Sequence, residues 1–496
     1  MIIQEGSSLA AERIWLEEAL GSSPELETLG LRLDSASVSP DKVQRKKIDS
    51  EITIEFFSSW IFENSKYPAG AAPGQASPKD LIVVSKTWFV PQEDSLAGRM
   101  ETTLELCLEG KENLVGIDGI APPFVALKVD GDTAGDDGYP LIRLGLMRLV
   151  FDESNKNCVE KAAALEKLLR EFPRPLIKEK PVLTWISSAG DMMLGRNAGN
   201  ILLNQGPKAL FGGAAEIFRQ SDLVIVNLEG SLSSRGRPAQ KSYTFRFEPP
   251  KPLAAAVKNA GIDAVLYANN HTFDYGEEAF LDTMNYLDEA GIAFLGTGRN
   301  EEEALSPFIF EKDNFSAHVW GLVSFPGERS GYDGLGNVAG PDKAGFLHAR
   351  RGGAEKIKAR FSKRDRDGKE SLNMVFFHGG AEWSHSPNAA TRELYTGMVR
   401  EGADLIIGTH PHIVQGFEWV GEKLVFWSLG NFVFAGMEDT GGGDEGLLIR
   451  LGYWGKKPLY IEPFALDLLG PRVELAPNQK QRLDNFYRMS KELAGK

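Results

Sequence analysis

Five short apolar runs in the C-terminal part of the sequence each lead into residues that can bind a metal or move a proton. Leu183–Ile186 is followed by Gly190-Asp191, and Leu223–Val226 by Asn227-Leu228-Glu229. Ala264–Tyr267 is followed by Asn269-Asn270-His271, Met374–Phe377 by His378, and Leu405–Ile407 by Gly408-Thr409-His410-Pro411-His412. Functional groups of open α/β sheets gather at the carboxyl ends of strands, so neighbouring strands would bring these groups into one cleft. Imidazole with carboxylate suits Zn, Mn or Fe, whereas an all-oxygen set suits Mg or Ca. His410 and His412 are two apart, and Pro411 biases His410 towards extended backbone. In extended backbone positions i and i+2 face the same side, so both rings are expected to reach one site. Taken singly, Asp191 and Glu229 also read as caps or loop carboxylates, Asn270 as a turn residue and His378 as a buried polar group. Their joint placement at strand ends is what favours a metal cleft. Of the seven histidines, His385 lies in the polar loop Ser384-His385-Ser386-Pro387 and reads as surface, and His318 and His348 read as structural.

Positioning these groups takes a sheet whose strands end on one side. Beyond the five runs, Ala293–Leu295, Val319–Val323 and Leu424–Trp427 read as strands, and Pro252–Ala260, Glu277–Ala290 and Ala390–Glu401 as helices. This alternation implies an α/β domain with parallel pairing. Glu445–Tyr453 and Leu459–Leu468 read as further strands, and Gln479–Leu493 as a surface helix. The N-terminal segment mixes signals: Ala10–Leu20 looks helical, Ile52, Ile54 and Phe56 alternate as in a strand, Leu81–Val84 is a short apolar run, and Val159–Phe172 reads as an amphipathic helix. An α/β or α+β domain without a catalytic constellation is expected there. Ala126–Gly131 with Tyr139-Pro140-Leu141 resembles part of an extracytoplasmic solute-binding protein. The proline-rich charged stretch near Phe172–Pro181 divides the chain. The expected organisation is an N-terminal domain over 1–172, a linker over 173–181, a main domain over 182–470 and a helical tail over 471–496.

The chain has 496 residues, which favours two domains. Its 55 basic and 69 acidic residues give a formal charge of −14, and residues 1–180 hold 21 basic against 30 acidic of these. Nucleic acid is therefore excluded as a partner, since a polyanion would be repelled. An anionic substrate must be held by local groups such as a metal or a single arginine. Two cysteines, Cys107 and Cys158, exclude a disulfide-dense scaffold and a cysteine-rich zinc site, and leave open whether they pair. The first residues lack the basic start and apolar run of a signal peptide. No run of 18 apolar residues suits a membrane span. The protein is thus either cytosolic or one whose signal or anchor has been removed.

Six motifs in order carry a family resemblance. They are Gly190-Asp191-Met192-Met193-Leu194-Gly195-Arg196, Asn227-Leu228-Glu229, Ala268–Gly276, His378-Gly379-Gly380-Ala381-Glu382-Trp383, Gly402–His412 and Ser428–Phe434. Over about 182–435 the chain resembles the capsule-synthesis proteins of the poly-γ-glutamate CapA type, which belong with the calcineurin-like metallophosphoesterases. The resemblance implies a metallophosphoesterase β-sandwich flanked by helices, an α/β fold with a dinuclear metal cleft at one edge. Asp191 would bind one metal and Glu229 would bridge both. Asn270, His378 and His410 would bind the second, and His412 would return to the first. His271 would act as general acid or clamp a substrate oxyanion, and Arg196 would bind a phosphate or carboxylate. Asp274 and Glu382 would orient ligands. One or two divalent ions (Mn, Zn or Fe), roughly 3.5–4 Å apart if paired, would polarise the substrate and supply a hydroxide. The implied partners are an anionic polymer or small anionic substrate and a membrane-associated polymer synthase. The implied location is extracytoplasmic, membrane-associated or periplasmic. Three departures stand out. Phosphoesterases open with Asp-x-His where this chain has Met193, they bridge with Asp where it has Glu229, and it has Gly379 where the capsule family usually has Trp. Three functions follow: a metal-dependent hydrolase or transferase of surface-polymer production, a module that binds an anionic polymer without turnover, and a general phosphodiesterase.

Overall fold

The structure, a computed structural model, describes residues 44–47, 52–61, 82–171 apart from 109–110, 138 and 153, and 181–495 apart from 314, 326, 329, 362–370 and 438–439. The helix expected at Ala10–Leu20 lies outside these residues, as does the expected linker apart from Pro181. The chain divides into two compact units. One comprises Met1–Glu93, Glu101–Ile120 and Ala126–Pro181, and the other Asp94–Met100, Ala121–Val125 and Val182–Lys496.

In the first unit β1 (Gln44–Lys47), β2 (Ile52–Ile61), β3 (Ile82–Asp94), β4 (Leu114–Gly116) and β5 (Ile142–Phe151) form a sheet in the order β1-β2-β5-β3-β4. The described pairings along it are antiparallel. Helix α1 (Lys156–Glu171) follows β5, with Cys158, Ala162 and Leu165 buried at helical spacing. Cys107 is buried as well.

The second unit is a sandwich of two sheets. Among the described residues the first has eight strands: β6 (Thr184–Met192), β7 (Leu223–Leu228), β8 (Ala264–Leu266), β9 (Ala293–Leu295), β16 (Asn431–Val433), β17 (Glu445–Trp454), β18 (Lys457–Leu469) and β19 (Arg472–Leu475). They run β9-β8-β7-β6-β17-β18-β19, with β16 also beside β6. The second has six: β10 (Phe308–Lys312), β11 (Phe315–Ser324), β12 (Leu372–Gly379), β13 (Leu405–Thr409), β14 (Phe417–Val420) and β15 (Lys423–Phe426), in the order β10-β11-β12-β13-β15-β14. The strands expected from apolar runs after residue 182 all coincide with these elements, with Leu183, Tyr267 and Trp427 falling just outside them. Their pairing is only partly the parallel one expected. β6–β9 and β11–β13 pair in parallel, because helices return the chain between them, and β15 joins β13 in parallel through the β14–β15 hairpin. β17, β18 and β19 are joined by hairpins and pair antiparallel.

The sheets meet through apolar side chains of both, including Val226, Val265, Leu266 and Leu295 from the first and Val319, Val323, Met374 and Ile407 from the second. A Cβ at Gly321 of β11 would lie 2.7 Å from Leu266 and from the Leu295 backbone, so the strands approach closely there. Helices α2 (Pro250–Asn259) and α3 (Gly276–Ala290) cover the first sheet with Leu253, Val257, Phe280, Met284 and Leu287. Glu277 and Glu278 favour the start of α3, and Gly291 ends it in the left-handed conformation at φ 70°. Helix α4 (Ala389–Glu401) starts where the Asn388 side chain accepts from Thr391 N, and buries Tyr395 and Met398 over Phe377 and Trp427. The C-terminal stretch is more than a helical tail. Arg472–Leu475 extends the first sheet, and α5 (Gln479–Ala494) buries Leu483, Phe486 and Leu493, with its Ser490 Oγ accepting from Phe417 N of β14.

Candidate metal centre

Strand register sets the site. Asp191, near the end of β6, lies opposite Asn227 of β7 on one side and Asn431 of β16 on the other. A bulge between Ile225 and Asn227 produces that alignment. Gly190 must lack a side chain, because a Cβ there would collide with the Gly430 carbonyl. In the second sheet His378, near the end of β12, pairs with Thr409 of β13. His410 and His412 follow β13 on a tight bend. They have φ of 96° and 58°, so the extended geometry expected from Pro411 is absent. Left-handed backbone at non-glycine residues is costly and clusters at functional sites. Its effect here is to send the two rings to different halves of the centre rather than to one point.

The first half is Asp191, Glu229 and His412, each buried, with one ligand atom apiece all within 4.8 Å of one another. His412 Nδ1 lies 3.2 Å from Asp191 Oδ2 and 2.9 Å from Asn431 Oδ1, and its Nε2 lies 3.9 Å from Glu229 Oε1. Asn227 Nδ2 donates to Asp191 Oδ1 at 2.7 Å. Burial alone would push the His412 imidazolium down, but the charges of Glu229 and Asp191 outweigh it and hold it at about 10. Burial, then the Asp191 charge, pushes the Glu229 carboxyl well up. Glu229 Oε1 has no hydrogen-bond partner despite being buried. Met193 is fully buried, and its sulfur accepts from Gly195 N at 3.1 Å.

The second half is Asn270, His378 and His410. His378 Nε2 lies 2.9 Å from Asn270 Oδ1 and 3.0 Å from His410 Nδ1. His378 Nδ1 lies 3.2 Å from the Thr409 hydroxyl, which donates to the Phe377 carbonyl, and 3.2 Å from the Asn227 amide nitrogen. With the His378 proton on Nδ1, the Nε2 lone pair would face the Asn270 oxygen. His378 Nε2 thus sits between the Asn270 oxygen and a second imidazole nitrogen. A cation among the three would satisfy all of them, so these donors fit a metal ion. Burial, followed by neighbouring imidazoles, holds His378 and His410 well below the usual histidine range, as neutral ligands require.

The remaining candidates flank this centre. His271 Nδ1 donates to Asp274 Oδ2 at 2.7 Å, leaving Nε2 aimed at Glu229 Oε1, 3.6 Å away. Its ring packs on Phe245 at 4.3 Å, and burial lowers its pKa despite the Asp274 charge. Arg196 is exposed at the rim with φ of 47°. It donates to the Ala435 carbonyl at 2.5 Å and lies 5.7 Å over Phe245. Glu382 is exposed, and no hydrogen bond joins it to the cluster among the described residues; its charge raises the Glu229 pKa. His385 is exposed, while His318 and His348 are buried. Sequence reasoning missed Thr409, Asn431, Lys241 and Glu328 as members of the site. Thr409 and Asn431 sat inside quoted motifs, and their strand-end positions were an available signal. Lys241 and Glu328 come from irregular loops and carried none.

The sequence pattern of the bacterial capsule synthesis protein PGA_cap family matches residues 185–436, just over half of the chain. The chain belongs to this family. Among curated relatives it is 29% identical over 259 residues to the capsule biosynthesis protein CapA of Bacillus anthracis, covering 52% of this chain and 60% of that protein. It is 27% identical over 248 residues to the PGA biosynthesis protein CapA of Bacillus subtilis (strain 168), covering 50% and 62% respectively. The match therefore spans under two-thirds of either relative. A solved structure titled as a novel phosphatase from Mycoplasma pneumoniae aligns with 61% of this chain and 97% of its own, at 17% identity and TM-score 0.36. No helix among the described residues is long and apolar enough to cross a membrane.

Proposed function

We propose that the protein serves in the production of poly-γ-glutamate or a related anionic surface polymer, through a cleft that holds divalent metal ions. The convergence of Asn270, His378 and His410 on the buried Asp191, Glu229 and His412 carries this reading, with Glu229 Oε1 and His410 Nε2 buried and without hydrogen-bond partners. Two further facts support it. Every ligand candidate lies inside the family match, and the CapA relatives are named for capsule and PGA biosynthesis. Asn270, His378 and His410 would hold one ion, Asp191 and His412 a second, with Glu229 between them. When bound, such ions (Mn, Zn or Fe) would polarise a phosphoryl or acyl group and lower the pKa of water.

The chain's own residues would do the rest. Asp274 fixes His271 with Nε2 towards the cleft, where it would protonate a leaving group or hold an oxyanion. Arg196 at the rim would bind a carboxylate or phosphate of the substrate. The anionic polymer and a membrane-associated synthase are the partners this implies, with an extracytoplasmic, membrane-associated or periplasmic location.

A second reading, a module that binds the polymer without turnover, is favoured by Met193, whose sulfur turns to its own backbone where phosphoesterases supply an imidazole. Metal analysis with parallel assays on poly-γ-glutamate and a generic phosphodiester separates the readings. Bound metal with polymer turnover that His271→Ala abolishes is the expected result. Bound metal with neither substrate turned over would move the assignment to the binding module. Hydrolysis of the phosphodiester alone would make the protein a general phosphodiesterase.

A further inference from the structure

We propose that Glu328 and Lys241 form a clamp that sets Asn270 as an oxygen donor to the metal. The proposal rests on the metal reading above and assigns a role to two residues outside the strand ends. An asparagine amide presents either oxygen or nitrogen, and a flip would aim an N–H pair at His378 and expel a cation. Glu328 decides which. Its Oε1 accepts from Asn270 Nδ2 at 3.2 Å, and a carboxylate can only accept, so the amide oxygen is turned to His378 Nε2.

Lys241 holds Glu328 in place. Its side chain is 1% exposed, and its three N–H groups meet three oxygens: Asn270 O at 2.7 Å, Asp274 Oδ1 at 2.8 Å and Glu328 Oε1 at 3.1 Å. The ammonium also lies 4.7 Å over the Tyr332 ring. The Glu328 turn closes on itself, with Glu328 N donating to Tyr332 O at 2.7 Å and Gly331 N to Glu328 O at 2.9 Å. One buried cation thus joins the loop after Leu232, the turn at Glu328 and the Asn270 backbone. It also touches Asp274, which orients His271.

The role is positioning, and its test separates orientation from general damage. Mn²⁺ binding to the full chain is measured by calorimetry and elemental analysis for wild type, Glu328→Ala and Glu328→Ala/Asn270→Asp. The thermal midpoint of each metal-free protein is recorded alongside. Loss of an outer partner of a ligand typically lowers metal affinity about 10–100-fold, and Glu328→Ala should weaken one ion by that much. The added Asn270→Asp should restore it, because a carboxylate offers oxygen on both sides and needs no partner to choose. Wild-type affinity in Glu328→Ala would overturn the clamp. Loss in Glu328→Ala that Asn270→Asp does not restore, at an unchanged midpoint, would also overturn it. A wild type that binds no Mn²⁺ would overturn the metal reading and the clamp together.

Discussion

The two halves of the centre satisfy themselves differently. Asp191, Glu229 and His412 combine an imidazolium held at about 10 with two carboxyl groups, of which Glu229 is pushed well up, so without metal this half already holds protons. Asn270, His378 and His410 are neutral groups gathered around His378 Nε2, and both histidines are held well below their usual range. The first half must release a proton before it takes a cation, and it has Met193 where an imidazole would strengthen it. The second half releases nothing and gains contacts. The comparison teaches that charge does not by itself make the stronger site, because a carboxylate cluster already paired to a protonated histidine competes with the metal.

The largest expected effect breaks the second half. His410→Ala removes one of three donors and should lower the affinity of the tighter ion by more than about 100-fold, beyond the range for outer partners. His412→Ala should affect only the weaker ion. Elemental analysis after dialysis at fixed free Mn²⁺ distinguishes them, and equal losses would erase the difference between the halves. A smaller effect is expected from Thr409→Val, which keeps the shape of the side chain but removes the oxygen facing His378 Nδ1. His378 then loses an outer partner, and the tighter ion should weaken about 10–100-fold. Retained affinity would remove Thr409 from the account.

Much of this was legible in the sequence. Strand ends announced Asp191, Glu229, Asn270, His271, His378, His410 and His412, because apolar runs mark strands and polar residues after them mark sheet edges. The structure brings all seven together. The exposure of Glu382 was not legible, because a loop carboxylate carries no periodic signal for the direction it faces. The bend at His410 and His412 was hidden for a different reason. Pro411 disfavours helix before it but does not force extended backbone, and the packed surroundings impose the left-handed conformation. Lys241 and Glu328 were invisible because they meet from separate loops. The antiparallel direction of β17 to β19 was not legible, because apolar runs mark strands but not how they pair.

The most direct test of two unequal halves is titration of the wild-type protein with Mn²⁺ at pH 6.5, 7.5 and 8.5. His378 and His410 are held below their ordinary pKa, so they are already neutral across this range, and the tighter ion should show little pH dependence. His412 is raised to about 10 and is protonated throughout. The weaker ion must displace that proton, so its affinity should rise with pH. Two binding steps with unequal pH slopes are the predicted result. A single step, or two steps with the same slope, would contradict the account.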